Sequence, residues 1–174
     1  MKKWLAALAL GIPAVAVAGD NLTGGFYVGG GPADVKMKFD EGGSQSWIVG
    51  EAVGGYKHSS FVGGETRLGY GSEDGLDLLY SSIYYRTESS NDIAKTYLLI
   101  GYTLGQVTFD ADSDEDDSVS LNGFSYGAGV GFTVTPKLNF NLEYRMIMDG
   151  DAKYEGESEG VELSGVSLNV DYRF

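Results

Sequence analysis

The last fourteen residues, Val161 to Phe174, read V-E-L-S-G-V-S-L-N-V-D-Y-R-F. From Val166 onward the apolar side chains occupy alternate positions (Val166, Leu168, Val170, Tyr172, Phe174), with Ser167, Asn169, Asp171 and Arg173 between them. Successive side chains of a strand point to opposite faces, so the segment presents one wholly apolar face and one polar, charged face. A wall between lipid and a polar interior needs such strands, and the expectation is the closing strand of a transmembrane β-barrel.

The rest of the chain repeats the pattern. Alternation predicts strands at 24–38, 46–57, 61–70, 76–87, 93–109, 119–134 and 138–148, eight in all with 161–174. The clearest signal puts Leu138, Phe140, Leu142, Tyr144, Met146 and Met148 on one face and Asn139, Asn141, Glu143, Arg145 and Ile147 on the other. A basic side chain facing lipid at depth costs ~2–4 kcal/mol, which sets the phase of ambiguous strands. Arg86 and Lys95 are therefore placed inward, with Ile83, Tyr85, Leu98, Ile100, Tyr102 and Leu104 outward. Short turns are read at 58–60, 88–92 and 135–137, and loops at 39–45, 71–75, 110–118 and 149–160. An even strand number with short turns at one end and longer loops at the other is the pattern of an outer-membrane barrel. Pro32 has no backbone N–H, so irregular pairing is expected where the first strand closes on the last.

The amino terminus points to the same compartment. Lys2 and Lys3 precede an apolar run, Trp4 to Val17, and Ala16-Val17-Ala18 has the small-x-small form of a cleavage site. This predicts a signal peptide over 1–18 and a barrel domain over 19–174. Loss of both lysines takes the formal charge from −13 to −15. That balance excludes nucleic acid as the expected partner, because affinity there rests on Lys and Arg. Cysteine is absent, which removes disulfides and thiolate metal sites.

A soluble barrel carries the same alternation with its apolar side chains inside. Two features favour the membrane. The polar faces are rich in glycine (Gly63, Gly69, Gly127, Gly129, Gly131), where a water-facing surface carries more Lys and Glu. Aromatics also cluster near strand ends (Tyr56, Tyr70, Tyr144, Tyr172, Phe174), as at membrane interfaces.

The run G-F-Y-V-G-G-G at 25–31, the run G-F-S-Y-G-A-G-V-G-F-T-V-T-P-K-L-N-F-N-L-E-Y-R at 123–145 and the terminal V-S-L-N-V-D-Y-R-F resemble the small outer-membrane β-barrel family of Gram-negative bacteria. Members are often labelled porin-family or OmpA-like barrels. The resemblance covers essentially all of 19–174 and implies an eight-stranded antiparallel up-and-down barrel in the outer membrane. It also implies that Tyr172 and Phe174 form the carboxy-terminal signal read by the barrel-assembly machinery. Many relatives carry a periplasmic peptidoglycan-binding domain, which this sequence, ending at Phe174, does not show.

Three places could carry chemistry. The interior is expected to hold Glu51, Lys57, Glu65, Arg67, Arg86, Lys95, Glu143, Arg145, Asp171 and Arg173. Mixed charge in a narrow closed space is best explained by ion pairs, because an unpaired buried charge is costly. Such pairs would plug the barrel, and a narrow passive channel is the alternative. For catalysis, the sole histidine, His58, lies in an H-S-S turn with no orienting acid nearby, so no enzyme is expected. The loops form the third place. Asp110, Asp112, Asp114, Glu115, Asp116 and Asp117 crowd carboxylates, and D-x-D-x-D resembles a calcium loop. Glu115 stands where that loop needs glycine and Leu121 where it needs glutamate, so neither metal nor cofactor is expected. The expectation is a monomeric barrel with a structural or surface-interaction role among outer-membrane lipids and lipopolysaccharide.

Overall fold

The computed structural model describes residues 24–39, 42–89, 93–109, 118–154 and 157–174. They form β1 (Gly25–Phe39), β2 (Ser44–Lys57), β3 (Val62–Glu73), β4 (Leu76–Glu88), β5 (Ala94–Phe109), β6 (Ser118–Thr135), β7 (Leu138–Tyr154) and β8 (Glu157–Arg173). Each strand pairs with its chain neighbours and β8 pairs with β1, which closes the barrel. Closure matters in lipid, where an open sheet edge would leave backbone groups without partners. The eight antiparallel strands expected from alternation are present. The signal peptide expected at 1–18 lies outside the described residues.

Over most of the wall, apolar side chains point out and polar ones in. Ile83 is 62% exposed and Leu98 58%, whereas Arg67 is 1% and Arg145 0%. Toward the end away from the described carboxy terminus, here the loop end, the phase inverts. Ala33, Val35, Met37, Trp47, Val49, Leu78, Val107, Leu121, Ile147, Met148, Val161 and Leu163 pack into one buried apolar cluster. On the outer surface of the same strands stand Asp34, Lys36, Lys38, Ser46, Gln106, Asp149, Asp151 and Glu162, all exposed. The barrel therefore has two zones: a lipid-type wall, and above it a collar with the apolar-in, polar-out pattern of a barrel in water.

The structure corrects two boundary expectations and one of phase. The predicted loop 149–160 is mostly strand, because β7 runs on to Tyr154 and β8 starts at Glu157, with Asp149 paired to Glu162 and Asp151 to Gly160. Asp149 and Asp151 suit a strand there because their side chains are exposed on its outer face. The predicted loop 71–75 shrinks to Asp74 and Gly75, with φ of 52° and 76°. Two left-handed residues make the tight turn whose twist matches that of the flanking strands. Gly75→Val is expected to lower unfolding free energy by about 1–2 kcal/mol, the cost of forcing a branched residue into that region. Urea unfolding of the refolded barrel checks this.

The third correction is a phase. Met148 is predicted outward with Met146, but it is fully buried beside Ile147. The β7 register shifts against β6 between Phe124 and Tyr126, and against β8 between Met146 and Met148. This β-bulge at Ile147–Met148 inserts one extra residue and moves every later side chain of β7 to the opposite face. The Ser125 hydroxyl donates to the Ile147 carbonyl at 2.6 Å, so the bulge leaves that inward oxygen satisfied.

Pairing at the closing seam is interrupted as expected. The β1–β8 register runs to Gly30↔Val170 and resumes at Ala33↔Ser167, omitting Gly31 and Pro32. Pro32 has no N–H to give. A Cβ at Gly31 would overlap the Leu168 carbonyl, so the two strands approach closely there.

Candidate functional site in the barrel interior

Below the apolar cluster, the interior is lined by buried polar and charged side chains. Cross-strand register places the parts. Tyr27 lies opposite Gly55, Gly69 opposite Tyr80, and Tyr97 opposite Gly129. At each glycine a Cβ would overlap the tyrosine ring, so each glycine is the space its ring occupies. The three rings fold across the interior, and each hydroxyl donates to a different glutamate: Tyr27 to Glu65 at 2.7 Å, Tyr80 to Glu51 at 2.6 Å and Tyr97 to Glu143 at 2.7 Å.

Three arginines meet these three carboxylates. Arg67 donates through Nε to Glu65 at 2.5 Å and through Nη2 to Glu143 at 2.9 Å, and its Nη1 lies 3.6 Å from Glu51. Arg145 Nη2 donates to both Glu51 oxygens at 2.6 Å, and its Nε lies 3.3 Å from Glu143. Arg86 donates to Glu65 at 2.9 Å and stacks 3.7 Å above the Tyr97 ring. All six charged groups are buried, where attraction between opposite charges is far less screened than at a surface.

The sequence-derived interior set is thus brought together: Glu51, Glu65, Arg67, Arg86, Glu143 and Arg145 at the centre, and Lys57, Lys95, Asp171 and Arg173 nearer the end that carries Phe174, the turn end. Asp171 accepts from Asn139 at 3.2 Å and Asn141 at 2.5 Å. One participant stands outside that set. Glu88 was expected in the 88–92 turn, yet it ends β4, is buried, pairs with Lys57 and accepts from Arg86 Nε at 3.2 Å. Its position two residues beyond Arg86 carries the signal, because i and i+2 share a strand face. The three tyrosines were equally in phase: Tyr80 and Tyr97 share faces with Arg86 and Lys95.

A hydroxyl layer separates the network from the apolar cluster, with Ser82, Thr103 and Ser125 linked at 2.6 and 2.7 Å. Near Tyr27, Glu65, Arg67, Asn169 and Asp171 there is a cavity of about 10 Å³. A single water needs about that much.

The other candidate residues are dispersed. Tyr172 and Phe174 form an edge-to-face pair on the outer wall, with ring centroids 5.4 Å apart. His58 is exposed, and the neighbouring Ser59 hydroxyl accepts from the Phe61 amide at 3.3 Å, as a capped reversal does. Asp110, Asp112, Asp114, Glu115, Asp116 and Asp117 lie outside the described residues.

Comparison with known proteins supplies the context. A family model for the outer membrane protein beta-barrel domain matches residues 5–174. Among solved structures, Neisserial surface protein A is similar at a TM-score of 0.71 and 18% identity, covering 86% of this chain and 97% of that one. Ail, the attachment invasion locus protein of Yersinia pestis, is similar at 0.62 and 19%, covering 87% and 99%. The outer membrane protein OprG from Pseudomonas aeruginosa is similar at 0.57 and 15%, covering 87% and 96%. These identities speak for the fold alone. A comparison with curated proteins found no match.

Proposed function

The chain belongs to the outer membrane protein beta-barrel family and resides in the outer membrane, and from that premise we propose that it is a closed, monomeric barrel with a structural or surface-interaction role, neither conducting nor catalytic. The observation carrying this reading is the filled interior. An apolar cluster across the loop end stands on a paired charge network, and the cavity within that network measures about 10 Å³. A passive channel needs a continuous wet path, and eight strands enclose an interior that side chains can fill.

By the general rule for such barrels, the short turns face the periplasm and the loop-end collar faces outward. Lys36 and Lys38 then stand on the outer surface of the collar, just above the lipid-type wall, exposed in an otherwise acidic protein, which supports contact with lipopolysaccharide phosphates. The aromatic pair of Tyr172 and Phe174, exposed at the final turn of the wall, supports recognition by the assembly machinery.

Planar-bilayer recordings of the purified barrel are expected to show no conductance steps. Reproducible steps of one size in the unaltered protein would replace this reading with the narrow passive channel.

A further inference from the structure

The paired charges do not close at the turn end. Six cations and five carboxylates among the described residues face the interior: Lys57, Arg67, Arg86, Lys95, Arg145 and Arg173 against Glu51, Glu65, Glu88, Glu143 and Asp171. At the centre three arginines match three glutamates. The excess falls at the mouth, where Lys57, Lys95 and Arg173 share Glu88 and Asp171.

Geometry makes that excess specific. Lys57 holds the Glu88 Oε1 oxygen by a hydrogen bond. Lys95 Nζ and Arg173 Nη2 each stop 3.8 Å from that same oxygen, beyond hydrogen-bond reach. Arg173 Nε lies 3.9 Å from Asp171, whose oxygens are taken by Asn139 and Asn141, and is a buried donor without a hydrogen-bond partner. Two cations therefore converge on the mouth with donors to spare. The Arg173 side chain is 19% exposed, so the group remains open to water at this end.

We propose that the turn-end mouth is a binding site for a small oxyanion, a carboxylate or a phosphate, held by the Arg173 fork and the Lys95 ammonium. A planar guanidinium offers two parallel N–H groups to such an anion, and the lysine adds a point charge beside it. Crowding three cations around one carboxylate oxygen is costly unless a further anion joins them. The narrow mouth focuses their field toward the water outside. The site stands whether or not the barrel conducts.

Calorimetry in a maltoside detergent, which carries no phosphate, tests this with inorganic phosphate in one arm and acetate in the other. Saturable heat in either arm identifies the preferred anion. Lys95→Met and Arg173→Met are each expected to weaken it about tenfold or more, since a hydrogen bond to a charged group is worth roughly 1.5–3 kcal/mol. Glu88→Gln, which removes a competing carboxylate, is expected to tighten it. Lys137→Met, at an exposed lysine near the same end, is expected to change nothing. Heat-modifiable gel mobility verifies that each variant is folded, and if Arg173→Met does not refold, the opposite signs of Lys95→Met and Glu88→Gln carry the test. No saturable heat with either anion, or equal weakening by Lys95→Met and Lys137→Met, overturns the proposal.

Discussion

Replacing Arg67 with methionine is expected to lower the unfolding free energy by about 3–5 kcal/mol, because it strands buried carboxylates that have no access to water. Arg67 is 1% exposed and reaches Glu51, Glu65 and Glu143 together. Its loss leaves Arg86 on Glu65 and Arg145 bridging Glu51 and Glu143, so two arginines face three glutamates. Removing a charge of each sign is expected to do less damage. In Arg67→Met/Glu143→Gln the carboxylate that Arg67 holds by two contacts becomes neutral, and its amide can still accept from Tyr97. The double variant is therefore expected to be more stable than Arg67→Met alone, a coupling that a double-mutant cycle measures directly. Trp47, buried in the apolar cluster and donating to the Leu76 carbonyl at 3.0 Å, provides the fluorescence probe for urea unfolding in lipid vesicles. A single variant that unfolds at the unaltered midpoint would show that the network does not hold the barrel together.

The parts of this architecture legible in the sequence were those governed by strand phase. Lipid on one side and a narrow interior on the other force every residue of the wall to choose a face. The placement of Arg86 and Lys95 inward, argued from the cost of a cation in lipid, agrees with their burial. Phase also contained Glu88 and the three tyrosines. They were missed because a glutamate after R-T reads as the start of a turn, and because tyrosine suits a membrane interface as well as an interior. What phase could not reveal was where phase itself changes. The Ile147–Met148 bulge is a single extra residue, and its only local mark, the consecutive apolar residues Met146, Ile147 and Met148, reads equally as one apolar side chain on the inner face. The collar was hidden for a related reason. In 149–160 the acidic residues suggested a loop, but an acidic strand in water, with its alternate positions facing an apolar interior, has the same composition.

The proposed closure to conduction would rest on both zones. In the wall the interior is held by charge pairs, whose partners could in principle exchange. In the collar it is held by close-packed apolar side chains from β1, β2, β4, β5, β6, β7 and β8, which have no alternative partner to exchange with. Loosening the charge network alone would still leave the apolar cluster in place, so stability and conductance should respond differently to substitutions in the two zones.

Gly129→Val is expected to disrupt the barrel more than its modest chemistry suggests. The added side chain would occupy the place of the Tyr97 ring, which lies across Gly129 from the neighbouring strand. That ring cannot turn away freely: its hydroxyl donates to Glu143 at 2.7 Å, and the Arg86 guanidinium lies 3.7 Å above it. Overpacking costs about 1–3 kcal/mol, and losing a hydrogen bond to a charged group adds about 1.5–3 kcal/mol. The sum approaches the stability of a typical small domain, so much of the variant is expected to stay unfolded on transfer to detergent, as heat-modifiable mobility would reveal. Two comparisons isolate the cause. Gly64→Ala, on the outer face of β3 with open space around the new methyl, is expected to change stability by less than about 0.5 kcal/mol. Tyr97→Ala removes the ring, so adding Gly129→Val to that background is expected to do far less harm than in the unaltered protein. Equal damage in both backgrounds would mean that the glycine serves the strand backbone rather than the tyrosine, and that the tyrosine–glycine pairs do not organise the interior.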